Sequence, residues 1–121
     1  SVGELVDKIT ILEIKLMFIK EDAKRQNISN ELVTLNESYV QDVGEMVELV
    51  AVKEQLKAIN LKLWEIEDDI RECERQSDFG EKFIKLARAV YHTNDKRAAL
   101  KRQVNLLTDS ELFEEKSYAA Y

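Results

Sequence analysis

The sequence predicts an all-α fold, an antiparallel helical bundle in which two long coiled-coil-like helices form a hairpin. Three observations support this prediction. The chain has no proline and three glycines, whereas β-rich folds depend on these residues for their turns. Charged residues make up 35% of the chain and hydrophobic residues 45%, a balance typical of helices with one apolar and one solvated face. Apolar residues also recur at alternating spacings of three and four. Residues 1–121 are predicted to form a single domain.

A first helix is predicted over residues 2–25 and packs along the hairpin. Its seam, the stripe of residues at three-four spacing, contains Val2, Leu5, Ile9, Leu12, Leu16, Ile19 and Ala23. Ser1 and Glu4 fit a capping box at the start of this helix. The stretch "RQNISN" is expected to separate it from a shorter helix over residues 29–43, which should end near Gly44 because glycine adopts a positive φ at little cost.

Two long helices are predicted over residues 45–75 and 79–107, followed by a short tail over residues 108–121. The first seam contains Leu49, Val52, Leu56, Ile59, Leu63, Ile66, Ile70 and Cys73. The second contains Phe79, Phe83, Leu86, Val90, Thr93, Arg97, Leu100, Val104 and Leu107. Asp78 is expected to cap the last helix. Because the connection between the long helices is short, they should lie antiparallel.

Two seam positions of the last helix carry polar residues, Thr93 and Arg97. A hairpin folded at "QSDFGE" places Thr93 opposite Asn60, with Asn94 and Asp95 alongside. We therefore predict one polar layer across an otherwise apolar bundle. Two interpretations remain open. The layer could fix register and oligomeric state at some cost in stability. It could also line a small pocket in which Arg97 binds an anionic ligand and amide groups donate hydrogen bonds.

Catalytic and metal chemistry find little support in the sequence. The acidic stretch "EIEDD" and the upstream Glu48 imitate the paired acidic motifs of all-α nucleotide pyrophosphatases. Glu48 and Glu65 would lie about 25 Å apart on one straight helix, so they cannot share an ion within one chain. Helical chorismate mutases need arginines on their first long helix, and the first arginine here is Arg25. We predict no metal, no cofactor and no catalytic residue, which favours a non-enzymatic protein.

Three single residues are predicted to have structural roles. His92 is the only histidine, and a lone histidine on a helix flank is usually solvated. Cys73 is the only cysteine, which excludes an intrachain disulfide, and it is expected in the core. Trp64 flanks a seam and is expected to anchor the first helix or a partner subunit.

Charge and composition limit the partners that the chain can have. The net charge of −6 argues against nucleic acid and anionic membranes. No apolar run approaches the ~18 residues of a membrane span. The single cysteine and the lack of a signal-peptide pattern favour the cytoplasm. Because a long hairpin cannot bury its own seams, we expect self-association as a homodimer or larger, with a protein partner as a second option.

Four stretches resemble the motifs of an uncharacterised family of short bacterial helical proteins, a domain of unknown function. They are "GELVDKITILEIK", "LWEIEDDIR", "YHTNDKRAALKRQVN" and "EEKSY". The resemblance covers nearly the whole chain and is weakest over residues 24–48. It implies a compact helical cytoplasmic protein without an assigned activity. The motifs include Asp7 and Lys8, so either residue joins the polar layer if the first helix packs against the last.

The sequence therefore predicts a protein of unknown function that is most consistent with a non-enzymatic oligomeric or partner-binding helical module. The alternative is a small anionic-ligand-binding protein, or an enzyme, that uses the polar layer between helices. The candidate ligand-binding residues are Asn60, Thr93, Asn94, Asp95, Arg97, Asp7 and Lys8.

Overall fold

A computed structural model describes residues 1–44 and 46–108. They form four helices: α1 (Val2–Phe18), α2 (Asp22–Asp42), α3 (Val47–Arg75) and α4 (Glu81–Leu107). The predicted all-α fold is confirmed, and the described residues contain no strand. The predicted C-terminal tail lies outside the described residues, apart from Thr108, which caps α4.

Helix α1 lies at the centre of the arrangement. It packs against each of the other three helices, and α3 packs along α4 as the most extensive helix pair. Helix α2 runs close to α1 alone, and none of its residues is fully buried. The protein is therefore a three-helix bundle of α1, α3 and α4, with α2 on the outside of α1.

The main apolar core lies at one end of this bundle. Its buried residues are Val6, Leu49, Val52, Leu56 and Val104, contributed by α1, α3 and α4. Burial of a side chain of this size stabilises a fold by roughly 1.5–3 kcal/mol relative to exposure. Tyr39 in the last turn of α2 and Val43, the residue that follows α2, pack against the same cluster. Gly44 follows with a φ of 72°, the conformation expected where α2 ends.

Helix α1 ends at Phe18 rather than near residue 25, and α2 begins at Asp22 and continues through "RQNISN". The boundary differs from the predicted one because the chain turns at Ile19, which is extended with φ −80° and ψ 127°. The guanidinium of Arg25 reaches back from α2 and donates hydrogen bonds to the carbonyl oxygens of Leu16 and Ile19. The last carbonyls of a helix have no partner within the helix, so Arg25 acts as a cap supplied by the next helix.

We expect Arg25→Ala to lower the free energy of unfolding by about 1–2 kcal/mol, because the two half-buried carbonyls lose a charged donor. Urea unfolding followed by far-ultraviolet circular dichroism measures this change. Lys24→Ala is the matched control, since the Lys24 ammonium pairs only with the exposed Glu21. That change should cost between 0 and about 1 kcal/mol. Equal, small effects of both variants would show that Arg25 does not hold the corner.

The two predicted helix caps have different outcomes. Ser1 caps α1, because its Oγ accepts a hydrogen bond from the Glu4 N–H at 3.2 Å. Helix α4 starts at Glu81 and not at residue 79, and its N-cap residue is Gly80. The Asp78 carboxylate instead accepts the Gly80 N–H at 3.1 Å, which forms a turn ahead of the helix.

Candidate functional site

Asp7 lies at the centre of a buried polar cluster where α1 meets both α3 and α4. Its side chain is 4% exposed. Arg97 of α4 binds it through two nitrogens, with Nε 3.0 Å from Oδ1 and Nη2 2.5 Å from Oδ2. Asn60 of α3 donates a hydrogen bond from Nδ2 to the same Oδ1 at 2.8 Å. A two-point contact between guanidinium and carboxylate is strong and directional, so it fixes α1 against both long helices at one point.

Thr10 completes this cluster one turn further along α1. Its hydroxyl accepts a hydrogen bond from Asn60 Nδ2 at 2.9 Å and donates one to the Asp7 backbone carbonyl at 2.7 Å. Among the described residues, every buried side-chain nitrogen and oxygen has a hydrogen-bond partner. We call Asp7, Thr10, Asn60 and Arg97 the Asp7 cluster. A fully satisfied cluster of this kind favours one helix register over its alternatives.

Two of the residues predicted for the polar layer, Asn60 and Arg97, meet through Asp7 of α1. Asn60 and Arg97 share the carboxylate of Asp7, which stands between α3 and α4. Thr93 is buried one turn before Arg97 on α4. Asn94 is exposed beside it, and Asp95 is half-buried.

Lys8 lies apart from the Asp7 cluster, although it is the next residue along α1. Its ammonium pairs with the Glu31 carboxylate of α2 at 3.0 Å, and both side chains are largely exposed. Successive residues of a helix point in different directions, so Asp7 faces the bundle while Lys8 faces α2.

A second set of polar contacts between α1 and α4 was not predicted from the sequence. The Gly3 N–H donates a hydrogen bond to Oδ1 of the buried Asn105 at 2.7 Å. The largely buried Lys101 ammonium pairs with the Glu4 carboxylate at 2.6 Å. The signal was present as a four-residue spacing on α4, along which residues share a face. This polar stripe of α4 consists of Thr93, Arg97, Lys101 and Asn105.

A cleft of about 380 Å³ opens beside Arg97, between α1, α3 and α4. Its apolar lining consists of Ile11, Ile14, Leu63 and Trp64. Its polar lining consists of Asn60, Glu67, Arg71, Asn94 and Arg97. The Trp64 indole stacks on the ring of Phe18, with centroids 5.3 Å apart and planes inclined by 14°. Trp64 therefore anchors α1 as predicted, and it also forms one wall of the cleft.

A second concavity, which we call the α2–α3 groove, has a volume of about 640 Å³ and lies on a different face of α1. It is lined by Glu13, Tyr39, Gly44, Met46, Val47, Val50, Lys53, Glu54 and Lys57. Lys53 and Lys57 share the Glu13 carboxylate at 3.9 and 3.5 Å. Burial raises the pKa of the Tyr39 hydroxyl above its usual value of 10.0.

Residues 1–44 and 46–108 were compared with the requirements of a metal site and of a membrane-spanning helix, and they meet neither. No three of their histidines, cysteines, aspartates and glutamates come together in a group that could hold a metal ion. None of the helices in these ranges combines the length and apolar character that crossing a membrane requires.

The model of a family of unknown function, DUF6165, matches residues 1–121. The chain belongs to this family. The predicted resemblance to a family of unknown function is thereby confirmed over the whole chain. Searches of curated proteins and of solved structures found no match. Membership of DUF6165 brings no assigned activity, so the functional evidence for this chain is the arrangement of its own side chains.

In this member of DUF6165, the Asp7 cluster holds helices together and is poorly placed for catalysis. Both carboxylate oxygens of Asp7 already accept hydrogen bonds, and the side chain is almost completely buried. A general base must come within hydrogen-bonding distance of a substrate proton, and the Asp7 carboxylate is already bound by Asn60 and Arg97. Cys73 is buried towards the end of α3, as predicted for a core residue.

Proposed function

We propose that the chain is a non-enzymatic helical module that self-associates through α2, whose outer face docks into the α2–α3 groove of a second copy. The observation that carries this proposal is the one-sided packing of α2. Its backbone runs close to α1 alone, only Tyr39 near its C-terminal end packs against the shared core cluster, and it has no fully buried residue. In a closed four-helix bundle each helix packs against two neighbours, so α2 has a face left to be covered.

The outer face of α2 carries apolar side chains at the spacing that helix docking uses. Val33 and Val40 are two turns apart, and Val40 is 70% exposed. Val47 and Val50, at the start of α3, line the α2–α3 groove, and Val47 is 84% exposed. A single exposed valine is ordinary on a protein surface. An exposed pair on α2 and a second exposed pair in the groove are more typical of an interface.

Charge favours a second copy as the occupant of the groove. Glu37 lies between the two valines on the outer face of α2, in the same surface depression. Of the two groove carboxylates, only that of Glu13 pairs with Lys53 and Lys57. Lys53 and Lys57 of the groove share the single carboxylate of Glu13, and a docked α2 would add the carboxylate of its own Glu37. In a two-fold dimer each contact forms twice, which doubles the effect of a modest patch.

We expect the wild-type chain to be a dimer by size-exclusion chromatography with light scattering, and Val33→Lys/Val40→Lys to be a folded monomer. The two lysines replace the apolar ridge and meet the lysines of the groove. Ile84→Lys is the matched control, because Ile84 is equally an exposed apolar residue but lies on α4. It should leave the dimer intact. A wild-type chain that stays monomeric at concentrations on the order of 100 μM would overturn the proposal.

A charge exchange tests which surfaces meet. Glu37→Lys should weaken the dimer, and Glu37→Lys combined with Lys57→Glu should restore it at least in part. Glu37 is exposed and Lys57 is half-buried on the groove surface, so circular dichroism should remain that of the wild type. A double variant that is weaker than Glu37→Lys would show that α2 docks elsewhere.

A further inference from the structure

The cleft between α1, α3 and α4 offers two kinds of surface to a small molecule. Its volume of about 380 Å³ falls in the range of small-ligand sites. Leu63 and Trp64 provide an apolar wall. Two guanidinium groups, one carboxylate and two amides provide the polar lining. An apolar wall with a few polar groups beside it is the usual composition of a site that orients a small ligand.

The cationic part of this lining is partly fixed in advance. Asp7 holds Nε and Nη2 of Arg97, so the plane of that guanidinium is set before a ligand arrives, while 30% of the side chain remains exposed. Arg71 contacts the exposed Asp68 at 3.5 Å, a long contact that a ligand can replace. Guanidinium groups suit carboxylates because their paired N–H donors match the two oxygens.

Glu67 makes the cleft a poor site for a plain anion. Its half-buried carboxylate lines the same cleft, and within the described part of the chain it forms no ion pair. It would repel a carboxylate that carries nothing else, but it would attract an ammonium group. A ligand that bears both groups satisfies the arginines and Glu67 together.

We infer that the cleft binds a small zwitterion with an apolar side chain, of the class of the apolar and aromatic amino acids. The ligand carboxylate lies on Arg71 and Arg97, its ammonium on Glu67, and its side chain against Leu63 and Trp64. This site is separate from the α2–α3 groove, and it goes beyond the proposed self-association.

The fluorescence of Trp64 provides the readout, because it is the only tryptophan of the chain and it lines the cleft. We expect a saturable change when the protein is titrated with L-phenylalanine. 3-Phenylpropionate lacks the ammonium and 2-phenylethylamine lacks the carboxylate, so each should bind at least about tenfold more weakly. Tighter binding of 3-phenylpropionate than of phenylalanine would overturn the zwitterion inference. So would the absence of any saturable response up to concentrations on the order of 10 mM.

Two substitutions on α3 locate the site. Arg71→Gln should weaken phenylalanine binding about tenfold, because one charged donor is lost. Arg75→Gln is the matched control, since Arg75 lies one turn further along α3, pairs with Glu72 and does not line the cleft. It should leave binding unchanged, and an equal loss in both variants would contradict the site. The same titration on Val33→Lys/Val40→Lys separates the two proposals, because binding should persist in a monomer.

Discussion

Replacing Arg97 with leucine is expected to lower the free energy of unfolding by about 3–5 kcal/mol. The substitution removes the guanidinium that binds Asp7 through two nitrogens and leaves a carboxylate that is 4% exposed. The hydrogen bond from Asn60 remains, but an amide cannot offset the cost of burying a full charge. Urea unfolding at neutral pH, followed by far-ultraviolet circular dichroism, measures the change.

Asp7→Asn is expected to cost less, about 1–3 kcal/mol, although it breaks the same ion pair. The reason is the different exposure of the two partners. The Arg97 side chain is 30% exposed, so its charge can turn towards water when Asp7 is neutral. The asparagine oxygen can still accept the hydrogen bond from Asn60. Arg97→Leu should therefore lower the free energy of unfolding more than Asp7→Asn does. This order tests the burial of Asp7 more strictly than either free energy alone.

The double variant Asp7→Asn/Arg97→Leu should be more stable than Arg97→Leu, because no unpaired charge remains inside the protein. Lys96→Leu is the matched control, since Lys96 precedes Arg97 on α4 and is exposed. It should change the free energy of unfolding by no more than about 0.5 kcal/mol. An Arg97→Leu variant within about 1 kcal/mol of the wild type would show that the Asp7 cluster does not tie α1 to the long helices.

The long helices were predictable because their signal is local. Three-four spacing of apolar residues requires only that a helix has one face to bury. Buried residues of α3 run from Leu49 to Cys73, whereas those of α4 lie between Thr93 and Asn105. The boundary between α1 and α2 has a different origin. It depends on Arg25 reaching back to Leu16 and Ile19, a contact between two helices that leaves no periodic pattern in the sequence.

The candidate site was predictable in part. Arg97 stands out as a polar residue on an apolar seam, and Asp7 lies in "GELVDKITILEIK", one of the four stretches that suggested the family resemblance. A seam indicates which residues face inwards, but it does not indicate which of them meet. The prediction placed Asn60 opposite Thr93 across the hairpin, and it did not foresee that the Asn60 amide donates its hydrogen bonds to Asp7 and Thr10 of α1. The second half of the polar stripe, Lys101 and Asn105, was missed because its four-residue spacing from Arg97 departs from the three-four pattern of the seam.

Gly3→Ala is expected to lower the free energy of unfolding by about 1–3 kcal/mol, although alanine favours helices. A Cβ atom at Gly3 would lie 2.6 Å from the Lys101 backbone oxygen and 2.9 Å from Asn105 Oδ1. A backbone oxygen within α4 cannot move aside alone, so α1 would have to shift. That shift would lengthen the 2.7 Å hydrogen bond from the Gly3 N–H to Asn105. Urea unfolding measures the result, with Gly80→Ala as the control.

The sign of this change separates two physical effects. Helix propensity alone favours alanine over glycine by up to about 1 kcal/mol, so a gain in stability would mean that α1 and α4 are not in close contact at Gly3. Gly80→Ala should change stability by no more than about 1 kcal/mol, because its Cβ would meet only Asp78 at an ordinary 3.5 Å. Gly3 and Asp7 lie one turn apart on the same face of α1. The close approach of α1 to α4 at Gly3 therefore also sets the distance from Asp7 to Arg97. If Gly3→Ala stabilises the protein, Arg97→Leu should lower the free energy of unfolding only slightly.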